Sequence, residues 1–104
     1  MTYQIEVSPK AEEEAHEILR WLARHTPKQL ARWQRDFAEK AQSLERFPAR
    51  CPLAPESQTF GLPIRHLIFG KYRILFLIED QTVFVMHVRH VAQQTLTPED
   101  DELA

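Results

Sequence analysis

Hydrophobic residues concentrate between Gly61 and Val91 in three runs, Leu62 to Phe69, Tyr72 to Glu79 and Thr82 to His90, separated only by Gly70-Lys71 and Asp80-Gln81. Runs of β-branched, aromatic and aliphatic residues joined by two-residue turns predict a three-stranded antiparallel meander. In the middle run Tyr72, Ile74, Phe76 and Ile78 point to one side and Leu75 and Leu77 to the other, because side chains alternate along a pleated strand. Apolar residues on both faces predict a sheet that wants cover on both.

Upstream the period changes. Tyr3 to Val7 alternates apolar with polar, which predicts a strand near a sheet edge with one wet face. Ser8-Pro9 then reads as a helix start, since serine accepts a bond from an early backbone N–H and proline lacks only a donor that has no partner there. Ala11, Ala15, Ile18, Leu19 and Leu22 form the apolar stripe, with Glu12, Glu13, Glu14 and Glu17 early and Arg20 and Arg24 late, as the helix dipole favours. Thr26-Pro27-Lys28-Gln29 predicts a second helix capped by Thr26, with Leu30, Trp33, Phe37, Ala41 and Leu44 on its apolar face. Arg32 with Asp36, Arg35 with Glu39 and Asp36 with Lys40 are spaced as exposed pairs on that helix. Trp21 lies off the main stripe and suits a contact with a partner or with the connecting loop. The short link makes the two helices an antiparallel hairpin. Phe47-Pro48 ends the second helix, and Pro48, Pro52 and Pro55 predict an irregular connection as far as Gly61.

The expected fold is therefore α+β: an N-terminal strand, an antiparallel two-helix hairpin, then a three-stranded antiparallel meander, with the helices packed on one face of a mostly antiparallel sheet. Both helices precede the meander, so nothing substantial remains to cover the other face. On that reading Leu75 and Leu77, or alternatively the Ile74 and Phe76 set, stay partly exposed and mark a protein interface. A partner helix or added strand would cover them. The alternative is that the sheet curls and the proline-rich loop does so.

Composition narrows the picture. A chain of 104 residues is expected to form a single domain, here residues 1–96. Its formal charge of −2 is uneven: Glu99, Asp100, Asp101 and Glu102 lie in an acidic tail, residues 97–104, without which the body carries +2. The lone Cys51 cannot form an internal disulfide, and no apolar run reaches membrane-span length, so a cytoplasmic protein without membrane attachment is expected. His66, His87 and His90 lack metal-ligand spacing, and no metal or other cofactor is expected.

Four segments carry a family resemblance: Tyr3-x-Ile5-x-Val7-Ser8-Pro9-x-Ala11, Phe47 to Glu56 (FPARCPLAPE), Arg65 to Phe76 (RHLIFGKYRILF) and Val83 to His90 (VFVMHVRH). In this order the chain resembles the RelE/ParE superfamily of bacterial toxin–antitoxin toxins, often labelled plasmid stabilisation proteins. The resemblance implies a small toxin neutralised by a cognate antitoxin, whose extended or helical segment wraps it. Leu75, Leu77, Arg65 and Arg73 are the expected antitoxin contacts, and Arg89 and His90 the expected target contacts.

The superfamily divides by activity. RelE-like members cleave mRNA on the ribosome without a metal, and ParE-like members poison DNA gyrase. Metal-independent cleavage needs a base for the 2′-hydroxyl, a donor for the leaving oxygen and cations for the phosphate. Arg73, His87 and Arg89 are the residues that would supply them. Charge argues against this, since work inside ribosomal RNA gains from many cationic contacts. The family's usual ending is also altered: a His-Gly-x-Arg type motif reads His90-Val91-Ala92-Gln93 here. The expected function is thus a ParE-like gyrase inhibitor with no chemistry of its own. The alternatives are a RelE-like endoribonuclease and a degenerate toxin that only binds its antitoxin.

Overall fold

A computed structural model describes residues 2–93 and 95–97. The chain forms β1 (Gln4–Val7), α1 (Pro9–His25), a 3-10 turn (Pro27–Gln29), α2 (Leu30–Ser43), a second 3-10 turn (Pro48–Arg50), α3 (Pro55–Phe60), β2 (Arg65–Phe69), β3 (Tyr72–Glu79) and β4 (Thr82–His90). The sheet order is β1-β4-β3-β2. The meander pairs antiparallel, as its two short turns require. Gly70 takes the left-handed conformation in the first turn and Asp80 in the second, at φ 57° and 53°.

β1 departs from the expected antiparallel pattern. It lies parallel to β4, with Ile5 opposite Val83 and Val7 opposite Val85, so the sheet is mixed. The helices bring the chain back so that β1 and β4 run in the same direction, and α1 packs directly on β4. Beyond Val7 the ladder is continued by other groups: Ser8 N–H donates to Val85 O, and Ser8 Oγ donates to Met86 O while accepting from Ala11 N–H as the N-cap of α1.

One face of the sheet packs on the helical hairpin. Ile74, Phe76, Val83, Val85 and Val88 are each at most 2% exposed there, against Ala11, Ala15, Leu22 and Trp33. Trp33 stacks on Phe37 at 5.4 Å and meets the edge of Tyr72 at 5.5 Å, closing the core beside the β2–β3 turn. Arg32 and Asp36 approach to 3.8 Å on the outer side of α2.

Two local expectations fail. Thr26 does not cap α2: its side chain makes no capping hydrogen bond, and Pro27–Gln29 form a 3-10 turn before the α-helix begins. The connection before Gly61 is not wholly irregular either, since Pro55 starts α3. This helix overturns the expectation of an uncovered second face. Leu75 is 1% exposed beneath Ala54, Ile64 and Leu96, with Phe60, Leu77 and Met86 around them. Leu77 remains half-buried, and the Ile74 and Phe76 set lies in the main core. The proline-rich loop and the segment after β4 supply the cover. The acidic residues Glu99 to Glu102 lie outside the described residues.

Candidate functional site

Arg73 enters the second face from β3 and is 6% exposed. Its partner is Glu56 at the first turn of α3. Arg73 Nη1 donates to Glu56 Oε1 at 2.9 Å and Nη2 to Oε2 at 2.5 Å, a bidentate pair. Glu56 is fully buried, and its Oε2 also accepts from Leu96 N–H at 3.2 Å. Burial alone would raise the Glu56 carboxyl. The bonds from Arg73, from its own backbone N–H and from Leu96, together with the guanidinium charge, outweigh burial and hold it below the ordinary carboxylate value.

His66 completes this cluster from β2. Its Nδ1 lies 3.4 Å from Arg73 Nη1, where a guanidinium can only donate, so the ring is neutral with Nδ1 as acceptor. Burial first, and the Arg73 charge second, push His66 below its ordinary value.

His87 is 1% exposed and turned to a different partner, Glu14 on α1. Its Nδ1 donates to Glu14 Oε1 at 3.1 Å, and the same oxygen accepts from Val88 N–H at 3.1 Å. Glu14 thus satisfies the edge of β4 where β1 has ended. Among the expected site residues, Arg73 and Arg89 are register partners across β3 and β4. His87 lies on the same strand as Arg89, but its imidazole is held by α1. Arg65 is removed from both clusters: its Nη1 donates to Cys51 O and Ala49 O, tying β2 to the proline-rich loop. Cys51 is buried, and burial raises its thiol, which suits packing beneath that loop.

The altered motif after β4 builds a turn. His90 N–H donates to Gln93 Oε1 at 2.7 Å, and Ala92 N–H donates to His90 Nδ1 at 3.0 Å. Val91 N–H reaches Lys71 O, and the chain then returns over the second face to seat Leu96. Gln93, where the resemblance leads one to expect arginine, is therefore a turn-forming residue.

Glu56 and Glu14 are the two site residues that sequence reasoning misses. Glu14 had a visible signal: it lies three residues after Ala11 and four before Ile18, on the apolar stripe of α1. A carboxylate there implies a buried partner. Glu56 follows a proline at a helix start, and only the tertiary fold brings it to Arg73. Among the described residues no group of three or more histidine, cysteine, aspartate or glutamate side chains could hold a metal ion. No helix there is long and apolar enough to cross a membrane.

A groove of about 1180 Å³ opens between the helical hairpin and the β2–β3 end of the sheet. Its walls include Ile18, Trp21, Thr26, Trp33, Ile68 and Tyr72.

Residues 5–95 match the family described as the ParE toxin of the type II toxin–antitoxin system, parDE. The chain belongs to this ParE toxin family. Among solved structures it is similar to the toxin–antitoxin complex RelBE2 from Mycobacterium tuberculosis, at 26% identity and a TM-score of 0.60 over 86% of this chain and 99% of that one. It is also similar in fold to the chromosomal ParDE toxin–antitoxin system from P. aeruginosa, at 13% identity and a TM-score of 0.68 over 86% of this chain and 96% of that one. No curated protein matches it in sequence.

Proposed function

We propose that this toxin is neutralised by a cognate antitoxin and acts by inhibiting DNA gyrase rather than by cleaving mRNA. The observation that carries this reading is the state of Arg73 and His87, two of the three residues a nuclease would need. Arg73 is buried and both its terminal nitrogens are taken by Glu56, while His87 is buried and bonded to Glu14. A phosphate would have to displace a carboxylate already desolvated with its cation, at a cost of several kcal/mol. Neither side chain is poised to stabilise a developing charge in RNA.

Arg89 and His90 close β4 beside the exposed Lys71, and we assign this end of the sheet to the target. On the second face, Leu77 is the part of the originally expected antitoxin surface that remains reachable, with Arg65, Arg73 and Leu75 engaged in the fold.

The test is induction of the chain without its antitoxin, followed by microscopy, primer extension on a reporter mRNA and a supercoiling assay with purified gyrase. Filamentation, intact mRNA and inhibited supercoiling are expected. Codon-spaced mRNA breaks with active gyrase would overturn the reading in favour of a RelE-like ribonuclease. Normal growth, intact mRNA and active gyrase would leave antitoxin binding as the only function.

A further inference from the structure

Phe47 holds a left-handed backbone conformation, at φ 47° and ψ 52°, and its ring is 80% exposed. Single exposed apolar side chains are ordinary on a protein surface. A bulky aromatic at positive φ is not, because such strain persists only where the surrounding structure enforces it. Here the enforcement is visible. Phe47 O accepts from Arg50 N–H at 3.0 Å and from Arg50 Nη1 at 3.1 Å. The same guanidinium reaches back to the end of α2, with Nη1 on Arg46 O at 2.7 Å and Nη2 on Ser43 Oγ at 3.1 Å. Leu44 and Pro48, both buried, pin the chain on either side. The turn is fixed from within, while the ring that strains it belongs to neither core cluster.

Position and charge say what the ring would meet. Tyr3 N–H donates to Glu45 O and Gln4 N–H to Gln81 O, so the chain enters this turn at the Asp80–Gln81 end of the sheet, outside the walls of the groove. Arg46 and Arg50 are exposed, and Arg65 reaches under the loop to Ala49 O and Cys51 O, against Glu45 as the single acid between residues 43 and 53. This balance suits an acidic surface. A rigid projecting ring also needs a preformed apolar socket, which a folded protein presents and a peptide segment laid along the toxin does not. A lone ring is a poor platform for successive bases, and a chain of net charge −2 gains little from a phosphate backbone.

We propose that Phe47 is a preorganised anchor for the toxin's target, its ring entering an apolar socket on gyrase whose rim carries carboxylates facing Arg46. The proposal rests on the gyrase reading above and adds a contact at the opposite end of the sheet from Arg89 and His90. The nine residues of β4 span about 30 Å, so the two contacts bracket one extended footprint. The strain is kept in the free toxin because a ring immobilised in advance lowers the ordering cost of binding.

Phe47→Gly and Phe47→Asn both delete the ring and both tolerate the left-handed backbone, the second with less added flexibility. Affinity for purified gyrase without DNA, and for the antitoxin, is measured by calorimetry, and toxin stability by thermal unfolding. Each variant should bind gyrase at least tenfold more weakly, bind antitoxin as the wild type does and unfold at no lower temperature. Arg46→Glu should weaken gyrase binding several-fold at low salt and less at high salt. Wild-type gyrase affinity in Phe47→Asn would overturn the proposal, as would a loss of antitoxin affinity in place of gyrase affinity. A loss seen only when DNA is present would assign the ring to a base instead and overturn the socket. A lower unfolding midpoint in both variants would make Phe47 a packing residue and overturn the anchor. A wild-type chain that binds no gyrase would sink the gyrase reading itself, and this proposal with it.

Discussion

Glu56→Ala tests the buried cluster most directly. The substitution leaves the Arg73 guanidinium inside the second face without its carboxylate and removes the acceptor of the Leu96 N–H. Breaking a buried ion pair by deleting one partner costs about 3–5 kcal/mol. Losing the backbone bond adds about 1 kcal/mol. Against a total stability of about 5–15 kcal/mol for a domain of this kind, the variant should be marginal or unfolded at 37 °C. Urea unfolding, extrapolated linearly to water, gives the number. The double variant Glu56→Leu/Arg73→Met separates the cause from simple loss of packing: with both charges gone and the volume largely filled, it should recover most of the lost stability. Acid titration supplies the sign. The folded Glu56 carboxyl titrates below its ordinary value of 4.5, so its contribution is complete above that value and is lost as pH falls through the folded one. The reasoning is refuted if Glu56→Ala costs less than about 1 kcal/mol, because an uncompensated guanidinium at this site cannot be that cheap.

Two further outcomes follow from the same geometry. His66 titrates below its ordinary value of 6.5, so the unfolded chain binds more protons in the window beneath it. Stability should therefore fall as pH drops below about 6.5, and urea midpoints between pH 7 and pH 5 should show less of that fall in His66→Asn. Phe47 holds a left-handed backbone at φ 47° with its ring 80% exposed, so little packing offsets the strain. Phe47→Gly should raise the stability by about 0.5–1 kcal/mol, seen as a higher thermal midpoint.

Much of the fold was legible from periodicity. The bounds of β3 and β4 match the runs Tyr72 to Glu79 and Thr82 to His90, and Ser8-Pro9 starts α1, because these signals are local. The parallel pairing of β1 was not legible, since it depends on how the hairpin redirects the chain. Nor was α3: its six residues are too few for a period to show, and three prolines nearby read as loop. The site suffered most from this. Arg73 was recognised as a notable residue, but its role changes entirely once α3 places Glu56 beneath it, 17 positions away in sequence. Thr26 failed differently. Its context is that of a helix cap, yet the 3-10 turn carries its hydroxyl away from the N–H groups it was expected to meet.

The parallel pairing of β1 with β4 also bears on synthesis. Ile5 meets Val83 only after nearly the whole chain has been made, and Ser8 waits as long for Met86. Until then the first strand has no neighbour in the sheet, and α1 has no β4 to pack against. Loop closure over such a span is slow compared with forming the local meander. On the ribosome the hairpin helices emerge first and wait, and the molecule becomes complete in a single late step. A chain cut short before β4 would carry Ile5 and Val7 without a partner strand, as a target for quality control rather than an active toxin.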